Sequence, residues 1–380
     1  MTTAAPLRRT LPGGLRLVAL DRPGTRLAAL ALRIPVGSAG EGPREQGLAH
    51  VLEHLVVRCS LGGAADRVAA ATSREYTLYK ALVRHHDIVA TATLLAAAFA
   101  PLCVTEAELA DELATIRTER AQRTADPRWR LQEALFAALW EGTGHAHPTL
   151  GDPGVLARCT PALVRDLHAA WYRPQDATLL LVTDRPERHA DAIAEAAAGL
   201  PRPAAPGPRP VAGRPGRDLV ERPVMAQVPA GNRQAVGFAF TRPPEPGAAA
   251  PEALARRVVR TAGGLDIQHL ELRDRSCTWI MVAANGPRQA AVAVARALAG
   301  VHDTLLGADG PYRLRTDALV PELRSAHAVQ AMADRAVWLG ADAALAWPAR
   351  LTAVTAPEAA RCVARWSGQL DSCGDGPEQS

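Results

Sequence analysis

The sequence predicts an α+β protein made of two related α/β domains, each a mixed, mostly antiparallel sheet with helices packed on it. Three observations lead there. Short β-rich runs alternate with stretches whose apolar residues recur at three and four. The same strand and helix grammar returns in the second half, and a proline- and glycine-rich segment at 201–217 separates the halves. That composition suits an exposed, stiff linker. It divides the chain into an N-terminal domain, 1–200, and a shorter C-terminal domain, 218–380. A chain of 380 residues is long for one compact domain, and either half can bury a core.

Residues 15–20 and 27–35 flank the turn signal Asp21-Arg22-Pro23-Gly24 and predict a hairpin. A glycine-punctuated loop over 37–47 leads into a helix from Leu48 to about Val57, and 77–83 fit a strand. Helices are expected at 86–100, 106–124 and 129–140, with Thr105 as an N-cap before Glu106 and Glu108. Another helix, 160–171, precedes a short apolar strand at 177–183. Beyond the linker the expected order is strand 234–240, helix 251–261, helix 266–273 and strand 278–284, then further helices.

Composition narrows the function classes. Apolar residues make up 48% and charged residues 22%, an ordinary balance for a soluble globular chain. The formal charge is +4, carried almost wholly by arginine, with Lys80 the one lysine. Scattered arginines and 4% aromatics do not make a nucleic-acid surface, which needs clustered cations with rings to stack on. Cys59, Cys103, Cys159, Cys277, Cys362 and Cys373 form no CxxC pair, which argues against a zinc ribbon or redox motif. Residues 1–10 lack the apolar core of a secretory signal. The most apolar stretch, 88–104, is interrupted by Thr91, Thr93 and Pro101 and falls short of a membrane span. The expectation is a cytoplasmic protein with neither membrane nor nucleic-acid partners.

The chemistry concentrates in Gly47-Leu48-Ala49-His50-Val51-Leu52-Glu53-His54. Residues four apart share one helix face, so His50 and His54 can both direct an imidazole to a single Zn²⁺. Glu53, beside His54 and three residues from His50, stands where a general base must stand to take a proton from water at the metal. The order HxxEH inverts the usual zincin helix. Leu52, Leu55, Val56 and Val57 surround the motif with apolar residues, which places the histidines at the edge of a buried surface instead of on a solvated charged face.

Catalytic zinc sites usually take three protein ligands, so a carboxylate or third histidine is missing. Glu119 is the best candidate, with Glu112 seven residues earlier on the same face of the helix at 106–124. Such a pair can act as ligand and as acceptor for a ligand histidine's other ring nitrogen. Solvent-facing glutamates are the alternative that the residues leave open.

The chain resembles the pitrilysin (insulinase) family of inverzincin metallopeptidases, which includes the mitochondrial processing peptidase. The matching pieces are Thr10-Leu11-Pro12-Gly13-Gly14-Leu15, Gly37-Ser38 with Glu41, and Gly47 through His54. Further on come Thr72-Ser73-Arg74-Glu75 with Thr77 and Tyr79, Glu112 followed by Glu119, and His147-Pro148 with Gly151. The resemblance implies that His50, His54 and Glu119 bind zinc, that Glu53 is the base, and that Glu112 supports the site. It also implies that the strand around Ala70, Thr72 and Ser73 is an edge strand to which an extended peptide adds. In the second half, Arg273 and Trp279 resemble the family's arginine and tyrosine, which hold the substrate and its developing oxyanion. Three departures stand out. The spacing from His54 to Glu119 is shortened, with the loss near 61–69; Ala69 stands where asparagine is common; and Trp279 offers no phenolic donor.

Family members enclose peptides between two clam-shell halves, each a pair of such domains, so this chain corresponds to one half. The resemblance therefore implies a homodimer, or a heterodimer with a homologous subunit that lacks zinc ligands. The function expected is a zinc-dependent metalloendopeptidase acting on small or unfolded peptides, such as a leader or precursor peptide. The alternatives are a non-catalytic scaffold or peptide-binding subunit, and a zinc hydrolase of some non-peptide amide.

Overall fold

The computed structural model describes residues 5–62, 66–200, 223–242, 247–272, 276–326 and 328–371. In chain order the elements begin with β1 (Leu7–Thr10), β2 (Arg16–Asp21), β3 (Leu27–Ile34), α1 (Leu48–Leu55), β4 (Ala69–Thr72), β5 (Thr77–Arg84) and α2 (Ile88–Ala96). They continue through α3 (Glu106–Ala125), α4 (Pro127–Leu139), α5 (Pro153–Leu156), α6 (Pro161–Trp171), β6 (Thr178–Thr183) and α7 (Glu187–Ala196). Next come β7 (Val224–Ala230), β8 (Arg233–Arg242), α8 (Ala249–Ala262), β9 (Asp266–Glu271), β10 (Ser276–Ala284) and α9 (Pro287–Leu306). The chain closes with α10 (Gly310–Arg313), α11 (Val320–Ala326), α12 (Val329–Leu339), α13 (Ala341–Ala353) and α14 (Ala356–Asp371).

Packing divides the described residues into two units, each woven from separate stretches. One holds residues up to 121, 147–200 and 328–345; the other holds 122–146, 223–326 and 346–371. The expected linker, 201–217, lies outside the described residues. A single cut in the sequence does not reproduce this packing, because α4 belongs to the second unit and α12 to the first.

The first unit is built on a six-stranded sheet in the order β1-β2-β6-β3-β5-β4. The β2–β6 pair is parallel and the other described pairs are antiparallel. Its central strands are apolar on both faces, as strands covered on both sides must be. Leu30, Leu32, Leu179 and Leu181 pack with α1, α2 and α6, while Ala29, Ala31, Leu180 and Val182 pack under α12. The expected hairpin of β2 with β3 is corrected here. The turn at 21–24 does join them, but β6 lies between, paired parallel to β2 and antiparallel to β3. The apolar run Leu179–Val182 of β6 gains burial on both faces in that position, which a two-stranded hairpin could not give it.

The second unit carries a four-stranded antiparallel sheet in the order β7-β8-β10-β9. Helix α4 lies against β7 and β8, and α8, α9 and α14 supply its other helical packing. Residues 266–273 were expected as a helix; 266–271 form β9 instead. Ile267 pairs with Ile280 and His269 with Thr278, whose hydroxyl meets the His269 Nδ1 at 2.9 Å. The apolar spacing of Ile267 and Leu270 fits a helix as well as a strand, and pairing with β10 decides between them.

Candidate metal and peptidase site

The chain enters α1 through Gly47, whose φ of 98° is open to glycine at little cost. Its backbone lies against Gly151, where an added Cβ would fall 2.2 Å from the Gly47 Cα, so both positions exclude any side chain. The Glu41 carboxylate accepts the N–H groups of Gly47 at 2.8 Å and Ala49 at 2.7 Å, satisfying donors that the first turn leaves without intrahelical partners. Burial pushes the Glu41 carboxyl up to about 8, against the pull of those two backbone donors. Leu48, Val51, Leu52 and Leu55 bury the helix in the first core, which fixes the direction of its polar residues.

Those residues are His50, Glu53 and His54, and their potential donor atoms all lie within 4.8 Å of one another. The imidazoles meet edge to face with centroids 4.7 Å apart. From α3, Glu119 brings Oε2 to 3.4 Å from His50 Nε2 and 3.7 Å from His54 Nε2. Donors standing 2.0–2.2 Å from a tetrahedral zinc are about 3.3–3.6 Å apart, and the spacings of the Glu119 oxygen from the two Nε2 atoms lie close to that range. The Nδ1 of His54 donates to Glu112 Oε2 at 3.1 Å, which selects the tautomer that leaves Nε2 as a ligand. Two turns of α3 thus deliver Glu112 behind one imidazole and Glu119 in front of both.

Glu53 is held differently. Its Oε2 accepts the Thr72 hydroxyl at 2.6 Å, and it is 7% exposed. Burial raises its pKa; the Thr72 hydrogen bond and the nearby His54 oppose that rise, while Glu119 adds to it. A carboxylate so placed takes up a proton more readily than an exposed one, as a general base must. Beneath it, Tyr79 and Tyr172 share a 2.7 Å hydroxyl contact, and burial drives both phenols well above their ordinary value.

The other expected site residues are placed as follows. Ala70 and Thr72 lie on β4, at the sheet edge, with Ala70 opposite Tyr79. The hydroxyl of Thr72 faces Glu53, so this residue serves the base as well as the edge strand. Ser73 is engaged in its own turn: its hydroxyl donates to the Tyr76 carbonyl at 3.0 Å and accepts the Glu75 and Tyr76 N–H groups. Arg273 lies outside the described residues. Trp279 is 5% exposed in the core of the second unit, edge to face with Phe136 at 5.1 Å. It packs against α4 in place of the surface position that a substrate contact requires, because an indole on this face of β10 buries more apolar area there.

Sequence reasoning missed Arg58, which bonds Glu112 and Asp111, and the helix-capping role of Glu41. The position of Arg58, four residues after His54, was the available signal for the first.

Comparison with known proteins bears on the family and the fold. The family model described as insulinase (peptidase family M16) matches residues 16–153. That segment of the chain is similar to the insulinase family. An uncharacterized zinc protease of Mycobacterium tuberculosis is 30% identical over 182 residues, covering 45% of this chain and 42% of the relative. One from Streptomyces coelicolor is 28% identical over 231 residues, covering 56% and 49%. These matches therefore span less than half of either curated relative. Among solved structures, a protease from Helicobacter pylori superposes with a TM-score of 0.75 at 17% identity, covering 96% of this chain and 97% of its own. An M16 inactive domain from Pseudomonas fluorescens gives 0.69 at 13%, covering 95% of each. At these identities the structures establish the insulinase-type fold, shared by a protease and by a domain named inactive.

Proposed function

We propose that this chain is a zinc-dependent metalloendopeptidase of the insulinase type that hydrolyses small or unfolded peptides. The observation that carries the reading is the Glu119 oxygen at 3.4 and 3.7 Å from the His50 and His54 Nε2 atoms, with Glu53 beside them. His50, His54 and Glu119 would hold the metal, which supplies Lewis-acid polarisation of a peptide carbonyl and acidifies water. Glu112 keeps the His54 ring in its tautomer and orientation. Glu53 takes a proton from the attacking water on its carboxylate and delivers it to the leaving amine nitrogen. The Thr72 hydroxyl, donating to Oε2, holds the carboxylate in place for that transfer. An extended peptide adds to β4, the edge strand among the described residues, where Ala70 and Thr72 would set its register.

The reading places the protein in the cytoplasm. The thiols of Cys59, Cys103, Cys159, Cys277 and Cys362 are free, in keeping with a reducing compartment. No single described helix is long and apolar enough to cross a membrane. The working form is a homodimer or a heterodimer with a homologous subunit; sedimentation of active material as a monomer contradicts both.

Glu53→Gln tests the function. The variant should retain zinc and lose cleavage of a quenched-fluorescence peptide library by about 10²–10⁴-fold. Undiminished cleavage removes Glu53 as the base. Stoichiometric zinc in a wild type that cleaves nothing favours the peptide-binding subunit instead.

A further inference from the structure

We infer that Arg58 is a positioning residue that sets the affinity of the site for a divalent metal, acting through Glu112 on His54. The inference rests on the reading of His50, His54 and Glu119 as ligands. After Leu55 the helix widens into a π turn, Val56–Ser60, closed by the Leu61 N–H donating to the Val56 carbonyl. Such turns are often found at functional sites. From this turn the Arg58 guanidinium reaches two successive carboxylates of α3: Nη1 donates to Glu112 Oε1 at 2.9 Å and Nη2 to Asp111 Oδ2 at 3.1 Å.

Both Glu112 oxygens are therefore engaged, Oε1 by Arg58 and Oε2 by His54 Nδ1. With Oε1 held, the carboxylate cannot turn away from His54, and the imidazole keeps Nε2 directed at the ligand position. A glutamate on its own keeps considerable rotamer freedom, which metal binding would have to remove. The fork also ties α3 to the end of the helix that carries both histidines. Glu119 lies two turns further along α3, so the same contact helps fix the third ligand. Planar, two-point donation of this kind is what arginine supplies and lysine does not.

Zinc competition against a chromophoric chelator tests this without any peptide substrate. Arg58→Met should raise the zinc Kd roughly fivefold to tenfold, somewhat less than the 10–100-fold typical of a group bonded directly to a ligand histidine. Arg58→Lys should recover part of the loss. Because Arg58 acts through Glu112, the double variant Arg58→Met/Glu112→Gln should bind zinc about as weakly as Glu112→Gln alone. The unfolding midpoint of metal-free Arg58→Met should stay near that of the wild type, since the Arg58 side chain is 37% exposed. A zinc Kd within twofold of wild type, or multiplicative losses in the double variant, overturns the inference while leaving the metal site standing. A wild type that binds no zinc overturns the metal reading and this inference together.

Discussion

Each unit buries a carboxylate beside its sheet, and the two are treated in opposite ways. In the second unit Glu252 is 1% exposed and fully paired. Arg242 donates to it through Nε at 2.6 Å and Nη2 at 2.8 Å, and Arg365 adds a further contact. Burial pulls its pKa up, but Arg242, His269 and Arg365 outweigh that and hold it below the ordinary value. In the first unit Glu53 has the neutral hydroxyl and backbone N–H of Thr72 for donors, and burial sends its pKa up. A buried carboxylate matched by arginine cannot exchange protons at neutral pH; one held by a neutral hydroxyl can. Among the described residues, the one group with metal-holding geometry lies on α1 of the first unit. The fold is repeated in outline, and the chemistry is not.

The comparison breaks if the second ion cluster does not act as a structural pair. Replacing Arg242 with Met removes the two-point partner of a buried charge and should cost roughly 3 kcal/mol of stability, read from denaturant unfolding. No measurable loss would mean that Glu252 is satisfied without Arg242.

A smaller effect sharpens the contrast through pH. Glu41 is a second buried carboxylate of the first unit, with backbone donors and no described cation partner; its pKa is about 8 against an ordinary 4.5. The folded state then holds the proton more tightly than the unfolded chain. Its contribution is complete below about pH 4.5 and is lost as pH rises toward about 8. Glu252, with a lowered pKa, has the opposite sign: its contribution is present above the ordinary carboxylate value and lost on acidification. Glu41→Gln cannot ionise, so the stability of wild type relative to this variant should decline steadily from about pH 5 to about pH 8. A pH-independent difference contradicts the raised value.

What was legible in the sequence follows the range of the interactions. The spacing of His50, Glu53 and His54 is local to one helix, and so is the spacing of Glu112 and Glu119, so residue counting placed both groups correctly on their elements. The meeting of α1 with α3 depends on tertiary packing and had to come from a family resemblance. The insertion of β6 between β2 and β3 is a contact across more than 140 positions, and no turn signal at 21–24 encodes it. Residues 266–271 read equally well in two periods until β10 is beside them. Trp279 rested on a family resemblance, yet its neighbours on α4 hold it in the core. Arg58 and Thr72 owe their roles to groups 54 and 19 positions away.

The most direct test of the central claim is X-ray absorption at the zinc edge on purified, dialysed chain. One zinc per chain is expected, with two imidazole nitrogens and a carboxylate oxygen at about 2.0–2.2 Å, and loss of that zinc in His54→Ala. Absence of stoichiometric zinc, or a first shell of sulfur from the free cysteines, would contradict it.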